Sequence, residues 1–255
     1  MIIPNYRWDH DVTIYDIADV HRGNEAFDAS LLEKVVDRVA SDKDAFWVST
    51  GDLMECALKD SKSDVYTAMS AEQEYDAIIK ELRPIGNKCL GLVESNHHGR
   101  FKRATGMSLD KRIMEGLEVG ERFLGAMGII KVTCGRTSYF IAMHHGTGGG
   151  HFRGGKVTSL NRFQSIMGGA DIYLEGHTHS YDHHIDLCQY IDKKRGLWGA
   201  YEAHFVCTGH FIKWDQSYAL NLKLKSMPMG VAAIRLKACD AGQFQNKKIT
   251  VDLFN

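Results

Sequence analysis

"DVTIYDIADVH", residues 11–21, is a β-branched, apolar run that breaks off at two polar residues, Asp19 and His21. Such a run predicts a buried strand, with the polar pair just past its end. The same pattern returns along the chain. After a Gly-Asn turn, "FDASLLEKVVDRVASD" (27–42) sets Leu31, Leu32, Val35, Val36 and Val39 on one helical stripe, with Asp28 as N-cap. "AFWVST" (45–50) predicts a strand ending at Gly51 and Asp52, and "SAEQEYDAIIKELR" (70–83) a helix stopped by Pro84. "KCLGLVE" (88–94) predicts a third strand, ending at "SNHH", with a weaker helical pattern over 107–119.

"GIIKVT" and "SYFIAM" flank the turn "CGRT", a hairpin signal leading to His144 and His145. A helix over 156–168 and the strand "DIYLE" lead to "GHTH" (176–179), and short strands such as "AHFVCTGHF", "GVAAIRLKA" and "KKITVDLF" follow. Alternating strands and helices predict an α/β fold, and the later hairpins require antiparallel pairing, so two mixed sheets flanked by helices are expected. No repeat, low-complexity tract or Pro-rich linker divides residues 1–255, which reads as one domain.

Composition narrows the function. Thirty-one basic residues against 32 acidic ones leave no global field for nucleic acid or an anionic membrane. Six singly spaced cysteines fit reduced thiols, and neither a signal-like N-terminus nor an apolar run of about 18 residues occurs. A cytoplasmic protein with no membrane contact is expected.

The histidines are clustered: 13 occur, with none between His21 and His97. Five strand-end loops carry Asp19 and His21, Asp52, Asn96 and His97, His144 or His145, and His177 with His179. In open α/β sheets such loops converge on one rim. Carboxylates, an amide and imidazoles without thiolates suit divalent Mn, Fe, Zn, Co or Ni. The set exceeds what one ion takes, so two ions sharing a carboxylate are expected.

Together these motifs resemble the calcineurin-like metallophosphoesterase superfamily, whose pattern runs DxH, GD, GNH with a following Asp or Glu, a lone His after a strand, and GHxH. The match spans residues 14–179. The resemblance implies a four-layer sandwich of two mixed sheets between helices, with a dinuclear centre at strand C-terminal ends. Asp19, His21 and His179 would hold one ion, Asn96, His144 and His177 the other, and Asp52 would bridge them, with manganese the first choice of metal. His97 would protonate the leaving group. A metal ion brings the pKa of bound water near 7 and so supplies the nucleophile without a Ser or Cys.

The sequence departs from that pattern at Ser95, where glycine is usual, and at His98, where Asp or Glu is usual. Ser95 implies tolerated dihedrals or strain, and His97 is expected either to be a less basic acid or to take another partner such as Asp16 or Glu94. Of the histidine doublet, His144 is taken as the ligand, being first past the strand. Arg22, His98, Arg100, His145 and His151 are the expected substrate contacts, and "GTGGGHFRGGK" (146–156), with Arg153 and Lys156, is a candidate phosphate cradle. His183, His184, His204 and His210 are expected to be surface or core residues.

The expected activity is a metal-dependent phosphoric ester hydrolase acting on phosphodiesters, with a nucleotide or nucleic acid as possible substrate. "GDLMECALK" has no arginine after Asp52, which argues against a phosphoprotein substrate and resembles the small phage and prokaryotic phosphoesterases. A nuclease on DNA or RNA is the alternative enzyme, and a phosphoesterase-fold binding scaffold is the alternative of another class.

Overall fold

The computed structural model describes residues 3–58, 69–148, 153–216, 225–239 and 247–255. A five-stranded sheet has the order β11-β10-β2-β3-β4, formed by β2 (Val12–Asp16), β3 (Ala45–Ser49), β4 (Cys89–Leu92), β10 (Val231–Leu236) and β11 (Ile249–Phe254). Within it β2, β3 and β4 run parallel, and the β10–β11 hairpin adds antiparallel to β2.

A six-stranded sheet has the order β1-β5-β6-β7-β9-β8, from β1 (Asn5–Trp8), β5 (Met127–Cys134), β6 (Thr137–His144), β7 (Ile172–Glu175), β8 (Asp182–Asp192) and β9 (Leu197–Cys207). In it β6, β7 and β9 are parallel, whereas β5 and β8 pair antiparallel with β6 and β9. Both sheets are therefore mixed, as the hairpin signals required.

Three apolar layers separate four layers of structure. Ile14, Val48, Ile141, Met143 and Leu174 meet between the two sheets. The outer face of the five-stranded sheet is covered by α1 (Ala29–Ser41), α2 (Ala71–Leu82) and α4 (Leu109–Gly116), which bury Leu32, Val35, Ile78 and Ile113 against Trp47. The outer face of the other sheet packs Ala142 and Tyr173 on Leu160 and Phe163 of α5 (Arg153–Ile166).

Local chemistry explains the helix starts. Asp28 accepts from the Leu31 N–H at 3.1 Å and caps α1. Ser70 and Gln73 form a reciprocal capping box on α2. A further helix, α3 (Asn96–Thr105), begins inside the "SNHH" segment, where a strand-end loop is expected from the sequence. Among the described residues no helix is long and apolar enough to cross a membrane, and all six cysteines are free.

Candidate metal centre

The parallel strands β2, β3 and β4 end on the same rim as β6 and β7. The loops leaving them are stitched by backbone hydrogen bonds: Asp19 N–H to Gly51 O and His21 N–H to Asp52 O at 3.0 Å each, and Gly176 N–H to His145 O at 3.1 Å. Three overlapping groups of ligand atoms result: Asp19 with His21 and His179, His21 with Asp52 and His97, and Asp52 with His145 and His177. Asn96 joins them, its Nδ2 lying 3.0 Å from His177 Nδ1.

The backbone is held in an uncommon shape here. Asp19, His21, Asp52, His177 and His179 all have left-handed φ, between 48° and 67°. That conformation costs a non-glycine residue about 1–3 kcal/mol and gathers at functional sites. Two glycines make the approach possible. A Cβ on Gly176 would sit 3.0 Å from Asp19 Oδ2, and one on Gly51 would sit 2.6 Å from Ser95 Cβ. Ser95 itself is extended, at φ −104° and ψ 166°, so it carries no strain. The room for its side chain is given by Gly51 across the loop.

The electrostatics fit a cation. The Asp19 carboxylate is fully buried, with the His177 backbone N–H and His179 Nε2, 3.9 Å from Oδ1, as its neighbours, an expensive arrangement for a carboxylate unless a positive charge offsets it. Burial pushes Asp19 up to about 7. Asp52 is opposed by burial, yet His145 and His97 hold it well below the usual carboxylate range. Burial drives His177 down to about 4 and His179 well below its ordinary value, which keeps both imidazoles neutral, as ligands must be.

The histidine doublet resolves against expectation. Strand side chains alternate between faces, and in β6 Ile141 and Met143 face the inter-sheet core while Ala142 faces α5. His144 therefore points outward, its ring 5.7 Å from Phe163, and its Nδ1 accepts from the Gly146 N–H. His145 points inward. Its Nδ1 lies 2.8 Å from Thr50 O and its Nε2 3.1 Å from Asp52 Oδ2. The structure brings His145 into the cluster and leaves His144 on the cleft wall.

His97 opens α3, its backbone N–H donating to Asp52 Oδ1 at 3.2 Å. Its Nδ1 lies 2.9 Å from the backbone oxygen of Glu55, and its Nε2 is 3.9 Å from Asp52 Oδ2. Neither carboxylate expected to pair with it does so: Asp16 accepts from the Thr50 N–H and hydroxyl, and Glu94 pairs with Lys102. Burial lowers the His97 pKa, with Asp52 pulling the other way.

Two expected substrate contacts are corrected. His98 is buried against Asp110, Nδ1 to Oδ1 2.6 Å, with its side chain fully enclosed; burial alone would lower its pKa, but Asp110 raises it well above the ordinary value. Arg22 turns away from the cleft to Glu81 at 3.0 Å and stacks on Phe27. Arg100 does line the cleft, beside Lys102 and Arg103. His151 lies outside the described residues, as does much of the glycine-rich segment, and Lys156 is buried. The sequence reading missed Glu55, whose Oε2 stands 2.9 Å from His21 Nδ1 and accepts from Asn24. Its spacing three residues after Asp52 was the only signal. His210, expected to be a surface or core residue, is buried, and its ring stacks on His179 at 5.5 Å.

A buried cluster of carboxylates and imidazoles on a rim shared by two mixed sheets defines a candidate divalent-metal site. No family model and no curated protein matches this chain. Similar solved structures include a predicted phosphoesterase from Streptococcus pneumoniae TIGR4, 15% identical over 95% of this chain and 90% of that one, with a TM-score of 0.41. A metallophosphoesterase from Sphaerobacter thermophilus is 10% identical over 96% and 89%, with a TM-score of 0.44. The Haemophilus influenzae NAD nucleotidase is 8% identical over 94% of this chain and 49% of that one, with a TM-score of 0.41.

Proposed function

We propose that this protein is a dinuclear-metal-dependent phosphodiesterase. The observation that carries the reading is the convergence of Asp19, His21 and His179 with Asp52, His145 and His177, five of the six on left-handed backbone, around the buried carboxylate of Asp19. Asp19, His21 and His179 would hold one ion. Asn96, His145 and His177 would hold the other, with Asp52 between them. Bound divalent ions would lower the pKa of water and so provide a hydroxide nucleophile at neutral pH.

The remaining work falls to side chains of this chain. Glu55 orients His21 through Nδ1, which leaves Nε2 facing His179 at 2.8 Å. The protonated ring of His97 keeps its Nδ1–H on Glu55 O and presents Nε2–H to the cleft, so the proton leaving Nε2 would go to the departing alkoxide oxygen. Arg100 lines the same cleft and would contact a non-bridging phosphate oxygen. A diester is favoured because, among the described residues, the cleft's cations, Arg100, Lys102 and Arg103, lie on α3 alone; the lack of an arginine after Asp52 in "GDLMECALK" argues against a phosphoprotein substrate. The test is a substrate panel with Mn²⁺: bis(p-nitrophenyl) phosphate, p-nitrophenyl phosphate, nucleotides, cyclic nucleotides, and single- and double-stranded nucleic acid. A higher kcat/KM for diesters is expected, and preference for the monoester would overturn the assignment.

A further inference from the structure

The β8–β9 hairpin is longer than the sheet that carries it. Both strands have 11 residues, yet β7 pairs only with His204–Cys207 of β9. Cys207 lies beside Glu175, at the metal-site rim, so the tip of the hairpin projects from the opposite end. β8 is the terminal strand of its sheet, and among the described residues its outer edge pairs with no other strand.

The hairpin carries exposed apolar side chains along one face, with Gln189 and Glu202 between them. Ile185, Leu187 and Ile191 alternate along β8, and Trp198 stands opposite Ile191 on β9. Ile185 is 49% exposed and the other three 69%. Four side chains of this size leave on the order of 500 Å² of apolar surface in water, at the upper end of what a monomer carries and the signature of a contact surface.

Charge is distributed unevenly along the same strand. The exposed Asp186 lies near its start, where Asp182 is buried, and the exposed Lys193 and Lys194 lie in the turn at its far end, where Arg195 pairs with Asp192. A strand that is acidic at one end and basic at the other is complementary to itself when paired antiparallel, the isologous geometry of a two-fold dimer. Pairing would also satisfy the edge amides and carbonyls of β8, which a lipid environment would leave unpaired at high cost. The apolar surface of those four side chains, on the order of 500 Å², is the larger part of the roughly 800 Å² per partner of a stable interface.

We infer that this protein forms a two-fold homodimer through its β8–β9 hairpins, with β8 of one copy antiparallel to β8 of the other. The inference is independent of the metal site. Sedimentation velocity over a hundredfold concentration range should show a reversible dimer, and a monomer throughout would overturn the inference. Leu187→Lys with Trp198→Glu should weaken the dimer about tenfold or more, with the thermal melt confirming a folded chain; an unweakened dimer would place the interface elsewhere and overturn it. Reversing the turn, Lys193→Glu with Lys194→Glu, should weaken association, and adding Asp186→Lys should restore it. Failure to restore it would contradict the antiparallel pairing. Flotation with phosphatidylserine vesicles completes the test, since a monomeric protein that floats, and stops floating on Trp198→Glu, would replace the second copy with a lipid surface.

Discussion

His145 Nε2 lies 3.1 Å from Asp52 Oδ2, whereas His144, one residue earlier, faces the opposite side of the sheet. The two histidines therefore separate by experiment. His145→Ala should empty one metal position and remove most activity, while His144→Ala should keep the metal content of the wild type. Elemental analysis of the purified variants decides, and metal lost only from His144→Ala would reverse the assignment.

His97 is placed to give a proton rather than to hold an ion, with Nδ1 occupied by Glu55 O at 2.9 Å and Nε2 facing the cleft. His97→Ala should lower kcat by about 10²–10⁴, as the loss of a general acid does, with metal retained. Because His97 also falls within ligand distance of His21 and Asp52, loss of metal from this variant would make it a ligand instead.

Metal binding should be linked to protons. Burial disfavours the charged form of His21 and His145, but Glu55 raises the first and Asp52 the second, each to about 9. Both are therefore protonated at pH 7 in the metal-free chain and must become neutral to bind an ion. About two protons from these histidines and about half a proton from Asp19, whose carboxyl sits at about 7, should be released per chain at pH 7, and affinity should rise with pH until it levels above about 9. Calorimetric titration of Mn²⁺ in buffers of differing ionisation enthalpy measures the release, and a heat independent of buffer would contradict it.

His98 and Asp110 form an enclosed pair at 2.6 Å that ties α3 to α4. His98→Ala removes the one cationic partner of the buried Asp110 carboxylate and leaves it only the Ser95 N–H and hydroxyl, at 3.3 and 3.5 Å, a change that costs about 3–5 kcal/mol. Denaturant unfolding should show that loss of stability. A variant as stable as wild type would mean that water or another group reaches Asp110.

The strands and helices that build the layers could be read because each pairs an apolar pattern with a cap or a turn. Where that pairing is absent, the reading fails. The first turn of α3 is Asn-His-His-Gly, with no apolar stripe, and β8 is an edge strand whose polar residues interrupt any alternation signal. Asp19, His21, Asp52, Asn96, His177 and His179 could be read as one group because their motifs are tight turns after apolar strands. The choice between His144 and His145 depends on which face of β6 each one meets. That parity was countable from Ile141 and Met143 only once their sheet had an inside. Glu55 and His210 gain their places from loops that meet in space, and only Glu55, three residues after Asp52, has a local spacing that points to it.

The most direct test strips the protein of metal, adds Mn²⁺ back, and follows hydrolysis of bis(p-nitrophenyl) phosphate beside elemental analysis, for wild type and Asp52→Asn. Wild type should regain turnover together with bound metal, and Asp52→Asn should regain neither. No turnover and no bound metal in the wild type would contradict the proposed phosphodiesterase.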